Sequence, residues 1–407
     1  YTNFSLFFIH LKSYYSIYMN IAIFNGGRGA KNIINALLNL KNIKITSIIN
    51  TLDDGKSTGH IRDIFNMFGP SDLRKVQSLF LNRKNKYFLE NKKIFDYRFD
   101  HDTSLVILKE LKLFASNKNY KIFNLKITEK KKLILIKKYI KFFLSKFEKK
   151  SHNYNLSTWS LMNIIYAGCF LKNKRNIRGT INEIKKIFKI KNTVLPVSND
   201  NSYLSAIRKN GVILFDEASI VEIRSNKLIK KIFISKKKIP FLNKNINKKQ
   251  KINLLENISY SPVINSEVKK AIALADVIIY APGTQHSSLL PSYHTKTLPK
   301  IISNNKTSLK VFITNIGADY ETPNFKASDY IKLAYRSLNH NKKYNIHDFF
   351  DINFVNASNT YKKSYVSFDK KNLDKTNVPY IKNKFEKNNT GCHDGNKIKK
   401  EILSLLK

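Results

Sequence analysis

Cysteine is nearly absent: the 407 residues hold only Cys169 and Cys392. Two thiols exclude a disulfide framework and a four-cysteine zinc site, and they suit a reducing, cytoplasmic compartment. Cys169 lies in an apolar run that reads as core. Long hydrophobic runs are missing as well. No stretch reaches the ~18 consecutive apolar residues of a spanning helix, so no transmembrane segment is expected. Residues 1–18 lack the basic start, extended apolar centre and small-residue cleavage site of a secretion signal. They precede Met19 and read as a non-native upstream extension.

Carboxylates are scarce, 29 Asp and Glu against 73 Lys and Arg, a formal net charge of +44. Such a balance ordinarily signals nucleic acid or an anionic membrane. Here the excess is lysine spread along the chain, without an arginine-rich arm or an aromatic-basic platform, and no specific nucleic-acid partner is expected. Arginine itself is rare, ten against sixty-three lysines, yet Arg28, Arg62, Arg74 and Arg98 fall in or near the loops described next. The guanidinium fork makes bidentate phosphate contacts that an ammonium does not, so its retention here points to a phosphate-rich ligand.

Those loops hold six of the thirteen glycines, all between Gly26 and Gly69. A β-branched run at 21–24 leads into Asn25-Gly26-Gly27-Arg28-Gly29-Ala30 and then into apolar residues at helical spacing. Glycine lets the backbone approach a ligand and the helix start favours an anion, although such a cluster is also compatible with a tight turn. A second apolar strand, 43–49, delivers Asp53-Asp54-Gly55 where a βα loop belongs. Ligands of open parallel sheets bind beyond the carboxyl ends of strands. Paired carboxylates there suit Mg²⁺ shared with substrate phosphates, and Asp-Asp-Gly is equally ordinary turn and N-cap chemistry. Ser57, Thr58, Gly59 and Arg62, then Ser71, Asp72, Arg74 and Lys75, crowd hydroxyls, glycine and cations into a third anion-suited loop. His60 and His286 are candidate acids or bases, against the alternative of solvent-exposed loop imidazoles.

Taken together, FNGGRGAKN, INTLDDGKSTGHIRD and GPSDLRK resemble the superfamily that unites 2-phospho-L-lactate transferase (CofD) with the gluconeogenesis factor YvcK. The similarity continues through Tyr97-Arg98-Phe99, WSLMN at 159–163 (where relatives have a Gly-Asn pair), LPVSND at 195–200 and ADVIIYAPGTQHSSLLP at 275–291. It ends on Cys392-His393-Asp394-Gly395 and so covers nearly the whole chain from Met19. Arg28 stands where relatives usually have Thr, and the DDGKSTG stretch looks closer to the YvcK-like branch.

The resemblance implies an α/β fold, a three-layer Rossmann-like parallel sheet with helices on both faces and a helical insertion. The alternation of β-branched strands with helices implies the same. One CofD-like domain is expected over 19–407: a first nucleotide-binding unit at 19–115, a mostly helical region at 116–190, a second α/β unit at 191–345, and a C-terminal strand and helix at 346–407. Strands are expected at 193–198, 277–282, 311–315 and 365–368, and a last helix at 398–406 capped by Asp394 or Asn396. Residues 130–150 read as a surface helix packing one face, and 236–251 as an exposed excursion.

The implied activity is transfer of a phosphoryl-linked group from a nucleoside-diphosphate donor to an alcohol, assisted by Mg²⁺. Asp53 and Asp54 would hold the metal. Asp72 or Asp200 would orient the acceptor or complete the metal shell. Gly26, Gly27 and Gly29 would seat the nucleotide, while Arg28, Arg62, Arg74 and Lys75 neutralise phosphate. Ser57, Thr58, Ser71 and Asn163 are further binding candidates. Gly283, Thr284, Ser287 and Ser288 are placed to clamp a second phosphate or sugar, with Gly283 expected to tolerate no large side chain. The competing reading is a YvcK-like, non-catalytic regulator of carbon metabolism or cell-envelope synthesis that binds a nucleotide-sugar. Either way the partner is a nucleotide or nucleotide-sugar, and a homodimer is allowed for.

Overall fold

The computed structural model describes residues 18–99, 103–116, 121–148, 154–239, 246–357 and 364–407. Apart from Tyr18, the segment read as an upstream extension lies outside them. Inside the main sheet lies β1 (Met19–Phe24), a strand with no polar alternation because both its faces are covered. Ile21 and Ile23 enter one core, Ala22 and Phe24 the other. That is the signature of a parallel strand buried on both sides.

β1 pairs in parallel with β2 (Ile43–Ile49), which pairs with β3 (Thr193–Pro196). On the other edge β1 pairs with β7 (Val277–Tyr280), followed outward by β8 (Leu309–Ile313), β9 (Ile352–Asn356) and β10 (Tyr380–Asn383), all parallel. The order is therefore β10-β9-β8-β7-β1-β2-β3. The intervening labels belong to a small antiparallel sheet, in which β4 (Tyr203–Arg208) is flanked by β5 (Ile213–Leu214) and β6 (Ile229–Ser235). Chain order runs outward from β1 in one direction and then, from β7, in the other. The switch point lies between β1 and β7.

Helices cover both faces. One face carries α1 (Lys31–Leu37), α2 (Lys56–Phe65), α3 (Ser71–Leu79) and the helical region: α4 (Phe88–Asp96), α5 (Ser104–Ser116), α6 (Lys130–Phe147), α7 (Leu161–Lys172) and α8 (Ile177–Ile187). α6 packs one face as expected. It buries Ile136, Tyr139, Ile140, Phe143 and Phe147, and with them Lys132, whose ammonium is 2.9 Å from Glu90 and 3.1 Å from Glu129. Trp159 is sealed beneath Phe143 and Phe147. The opposite face is covered by the small sheet and by helices following β6 and β7. Each fully buried Ile, Leu or Phe contributes about 1.5–3 kcal/mol, so these two cores supply most of what holds the layers together.

Three local expectations change. The parallel strands end two residues earlier than read, at Pro196, Tyr280 and Ile313. No strand forms at 365–368, because Tyr365 bridges antiparallel to Gly317 while Ser367 bridges parallel to Lys326, so no ladder can build. Part of 236–251 is helical rather than an excursion: Asn247 and Gln250 form a capping box that starts a helix at Lys248. Residues 240–245 of that stretch lie outside the described residues. The last helix is Gly395–Leu405, and Asp394 is its cap, accepting from the N–H groups of Asn396 (2.9 Å) and Lys397 (3.4 Å). Among the described residues no helix is long and apolar enough to cross a membrane.

Candidate functional site

The carboxyl ends of β1, β2, β7 and β8 open into one cavity of about 620 Å³. The glycine turn after β1 forms its base. Gly27 has φ +92°, a conformation that side chains rarely adopt. A Cβ on Gly29 would lie 2.1 Å from the Pro282 carbonyl oxygen, so the turn after β1 and the loop after β7 touch backbone to backbone. Among the described residues, the N–H groups of Gly26, Gly27, Arg28 and Gly29 donate to no protein acceptor. They are available to an anion.

The β7 loop is held from two sides. Asn315, just past β8, accepts from the Gly283 N–H at 3.1 Å and donates to its carbonyl at 2.9 Å. Asn50, just past β2, donates to the Ser287 carbonyl at 3.3 Å and also to that of Ser288. Residues Gln285–Leu289 then form a π-helical turn, a rare form often found at functional sites. Gly283, Thr284, Ser287 and Ser288 line the cavity beside Gly26, Arg28 and Gly29. Gly283 itself is not tight: a Cβ there meets nothing nearer than Leu289 at 3.7 Å. The intolerance expected of it belongs to Gly29, whose neighbour is rigid backbone.

The starts of α2 and α3 contribute Ser57, Thr58 and Ser71, with Thr58 and Ser71 hydroxyls 2.5 Å apart. The dipoles of these two helix starts add a favourable field for an anion. Asp53, Asp72 and Lys75 line the same wall, and the Lys75 ammonium is 2.8 Å from Asp72. Burial and then the charge of Asp72 raise the Asp53 carboxyl above its ordinary range. Burial would lower Lys75, but Asp72 and Asp53 outweigh it and hold the ammonium above its usual value.

Five candidate residues lie elsewhere. Asp54 turns from the cavity toward Arg62 (3.9 Å) and Lys238 (3.8 Å). Arg62 is buried and spends its guanidinium on the carbonyls of Leu52 (3.0 Å), Asp53 (3.4 Å) and Ser202, and on Asn201 (3.2 Å), above the Tyr203 ring. It braces the Asp53 loop rather than meeting a ligand. Asn163 is buried within α7, and Asp200 accepts from the Val263 N–H at 3.0 Å. Arg74 is buried on α3, outside the lining of this cavity, its Nη1 donating to the Phe95 carbonyl at 2.8 Å. The histidines also change character. His286 is enclosed and burial pushes it down to about 3, while His60 packs edge-on against Tyr154 and burial lowers it. Neither lines the cavity.

Other residues arrive that the sequence did not single out. Glu217 and Glu222 come from α9 (Glu217–Glu222), which follows β5, and Glu217 accepts from the Asp54 N–H at 3.3 Å. Burial first, and then the Asp53 charge, raise Glu217 well above the carboxylate range. Asn315, Gly317 and Asp319 follow β8. Behind them Glu321 is buried, accepting from the Ser287 N–H (2.9 Å) and hydroxyl (2.5 Å), and is pushed up to about 7 by burial and then by Asp319. The loop after β8 had a readable signal, the end of a parallel strand. α9 had none.

An open parallel sheet whose glycine turn, cations and carboxylates meet where the strand order reverses defines a doubly wound α/β protein with its ligand crevice at the switch point. The chain belongs to the CofD family: the family model described as 2-phospho-L-lactate transferase CofD matches residues 21–386. Among curated proteins it is similar to the gluconeogenesis factor of Bacillus subtilis, 24% identical over 403 residues, covering 95% of this chain and 98% of that one. It is also similar to the putative gluconeogenesis factor of Clostridium acetobutylicum, 27% identical over 243 residues. That match covers 57% of this chain and 48%, about half, of the relative. A crystal structure of a Bacillus halodurans protein shares the fold at a TM-score of 0.67, with 21% identity over 95% of this chain and 99% of that one.

Proposed function

We propose that the cavity at the switch point binds a nucleoside-diphosphate-linked ligand through its diphosphate, together with Mg²⁺, and transfers the phosphoryl-linked group to an alcohol. The observation that carries this reading is the meeting, in one cavity, of the free N–H groups of the Gly26–Gly29 turn and the Arg28 and Lys75 cations with the carboxylates Asp53 and Asp72. Phosphoryl transfer asks a protein mainly for positioning and charge neutralisation. The glycine turn and the starts of α2 and α3 would seat phosphate oxygens, and Thr284, Ser287 and Ser288 would hold the far end of the ligand.

The donor set fits a hard cation. Asp53 is raised by burial and by a second carboxylate, a conflict that a divalent ion relieves. Among the described residues no group of three or more His, Cys, Asp or Glu is placed to hold a metal alone. Mg²⁺ needs only one or two protein carboxylates when phosphate and water complete its shell. Asp53 is the residue assigned to it, with Asp72 beside it. When bound, the ion would offset charge on the transferred group.

A second reading is favoured by one specific finding, the relatives named gluconeogenesis factor. In it the same cavity binds a nucleotide-sugar and the protein acts as a regulator without turnover. Native mass spectrometry of the purified chain against a panel of nucleotides and nucleotide-sugars, with and without Mg²⁺, tests both. A 1:1 complex that depends on Mg²⁺, followed by nucleoside monophosphate release when an alcohol acceptor is added, supports transfer. A stable complex with no release across acceptors supports the regulator, and no complex with any member overturns both.

A further inference from the structure

A second cavity, of about 380 Å³, lies between α1, α3 and α4 and adjoins the first. The two share Arg28, Lys75 and Arg98. Lys31, Arg74, Arg83 and Lys92 line the second and not the first, and Asp96 is the one carboxylate in its wall among the described residues. Lysine is everywhere in this chain, but arginine is not: four of its ten arginines converge on this one space.

Few of these charges are answered by the protein. Lys92 pairs with Asp96, and Lys75 with Asp72. Among the described residues Arg83 has only the Asn35 side-chain oxygen at 3.2 Å, and Arg98 only the Thr158 carbonyl at 3.4 Å. Arg28 has no partner among the described residues. Arg74 is the most telling: it is 3% exposed, one donor meets the Phe95 carbonyl, and its Nε and Nη2 are buried with none. A buried, under-satisfied guanidinium among like charges is costly unless something answers it. Burial, then Arg98 and Arg28, push it down to about 10. Leu79, Leu81 and Phe88 add an apolar wall, and the size is that of a small-molecule pocket rather than an open charged face.

We infer that this cavity is a second anion site, which takes a small molecule bearing a di- or triphosphate and does so without a metal ion. It differs from the first cavity in kind, since among the described residues the carboxylate in its wall, Asp96, is already paired with Lys92. The inference does not rest on the transfer reading, because Lys31, Arg74, Arg83 and Lys92 line this cavity and not the switch-point one, even though Arg28, Lys75 and Arg98 are shared.

The test is calorimetric titration of the full chain with inorganic tripolyphosphate in EDTA, at ~0.15 M salt, where exposed charges are screened beyond about 8 Å. One saturable site is expected. Arg83→Gln with Lys31→Gln, both exposed at the rim, should weaken it at least about tenfold, about 1.4 kcal/mol. Arg74→Lys, which keeps the charge and loses the fork, should weaken it comparably while circular dichroism reports a folded chain. Lys269→Gln with Lys371→Gln removes the same charge from exposed distant positions and should change affinity by less than about twofold. Equal losses from the two pairs, or no saturable binding, overturn the site. A requirement for Mg²⁺ does so too, by assigning the anion to the first cavity. Each of these results leaves Mg²⁺-dependent nucleotide binding free to stand or fall separately.

Discussion

The two adjoining cavities are built around the same three cations, Arg28, Lys75 and Arg98, and differ in what surrounds them. The first adds Asp53, Asp72, Glu217, Glu222 and Asp319, five of only 29 carboxylates in the chain. The second adds Lys31, Arg74, Arg83 and Lys92. A net charge that came only from lysine spread along the chain would have coloured both alike. Its failure to do so sets the two apart: the first surrounds its cations with carboxylates, and the second adds further cations and the carboxylate of Asp96.

The largest effect should come from breaking the seam that forms the first cavity. Gly29→Val drives a side chain into the Pro282 carbonyl 2.1 Å away, so nucleotide affinity should fall at least about a hundredfold, about 2.7 kcal/mol, and the melting temperature should drop. Gly283→Ala, in the same wall but with open space around it, should melt and bind like the parent in the same titrations. If both behave as the parent, the backbone contact does not shape the cavity.

Next in size is the contrast between adjacent carboxylates. Asp53→Asn should reduce Mg²⁺-dependent nucleotide affinity at least about tenfold, whereas Asp54→Asn, which faces Arg62 and Lys238, should leave it within about twofold. Equal losses in a titration with and without Mg²⁺ would remove Asp53 from the metal.

The smallest effect concerns Glu321, the carboxyl behind Ser287 that burial pushes up to about 7. Its unfolded value is near 4.5, so between these two values the folded chain holds a proton that the unfolded chain has released. Stability must therefore fall as pH rises through that window. Glu321→Gln should flatten this part of the melting-temperature profile by the equivalent of about 1–3 kcal/mol. An unchanged slope from about pH 4.5 to 7 would show that Glu321 is ionised in the folded chain.

What could be read from the sequence was local. Strand, turn and helix start lie within about a dozen residues in β1–α1, and the next such unit sets Asp53, so the glycine turn and one metal candidate were legible. Arg62 was not, because a cation on α2 faces cavity or interior according to partners such as Ser202, placed by folding 140 residues away in sequence. Asp54 shows the same limit at closer range: neighbouring residues in a loop point opposite ways. Glu217 and Glu222 reach the cavity on a short helix carried by the antiparallel sheet, and only its docking on the Leu52 side of the main sheet brings them in. His286 fails as an acid or base because the π turn encloses it.

The position of β1 also has a consequence in time. Its first neighbour, β2, follows directly, but its other edge is closed only by Val277–Tyr280, and the Asn32 carbonyl in α1 receives the backbone of Gly395, where a Cβ would lie 1.9 Å from that oxygen. At about 5–20 residues per second of synthesis, β1 waits on the order of 10–50 s with one edge unpaired. During that interval the nascent chain displays its glycine motif without owning a crevice. It offers the ribosome exit an apolar strand edge, the kind of surface that aggregates or recruits a holding chaperone. A product halted before residue 277 would carry the glycine motif without the Gly283, Thr284, Ser287 and Ser288 wall of the first cavity.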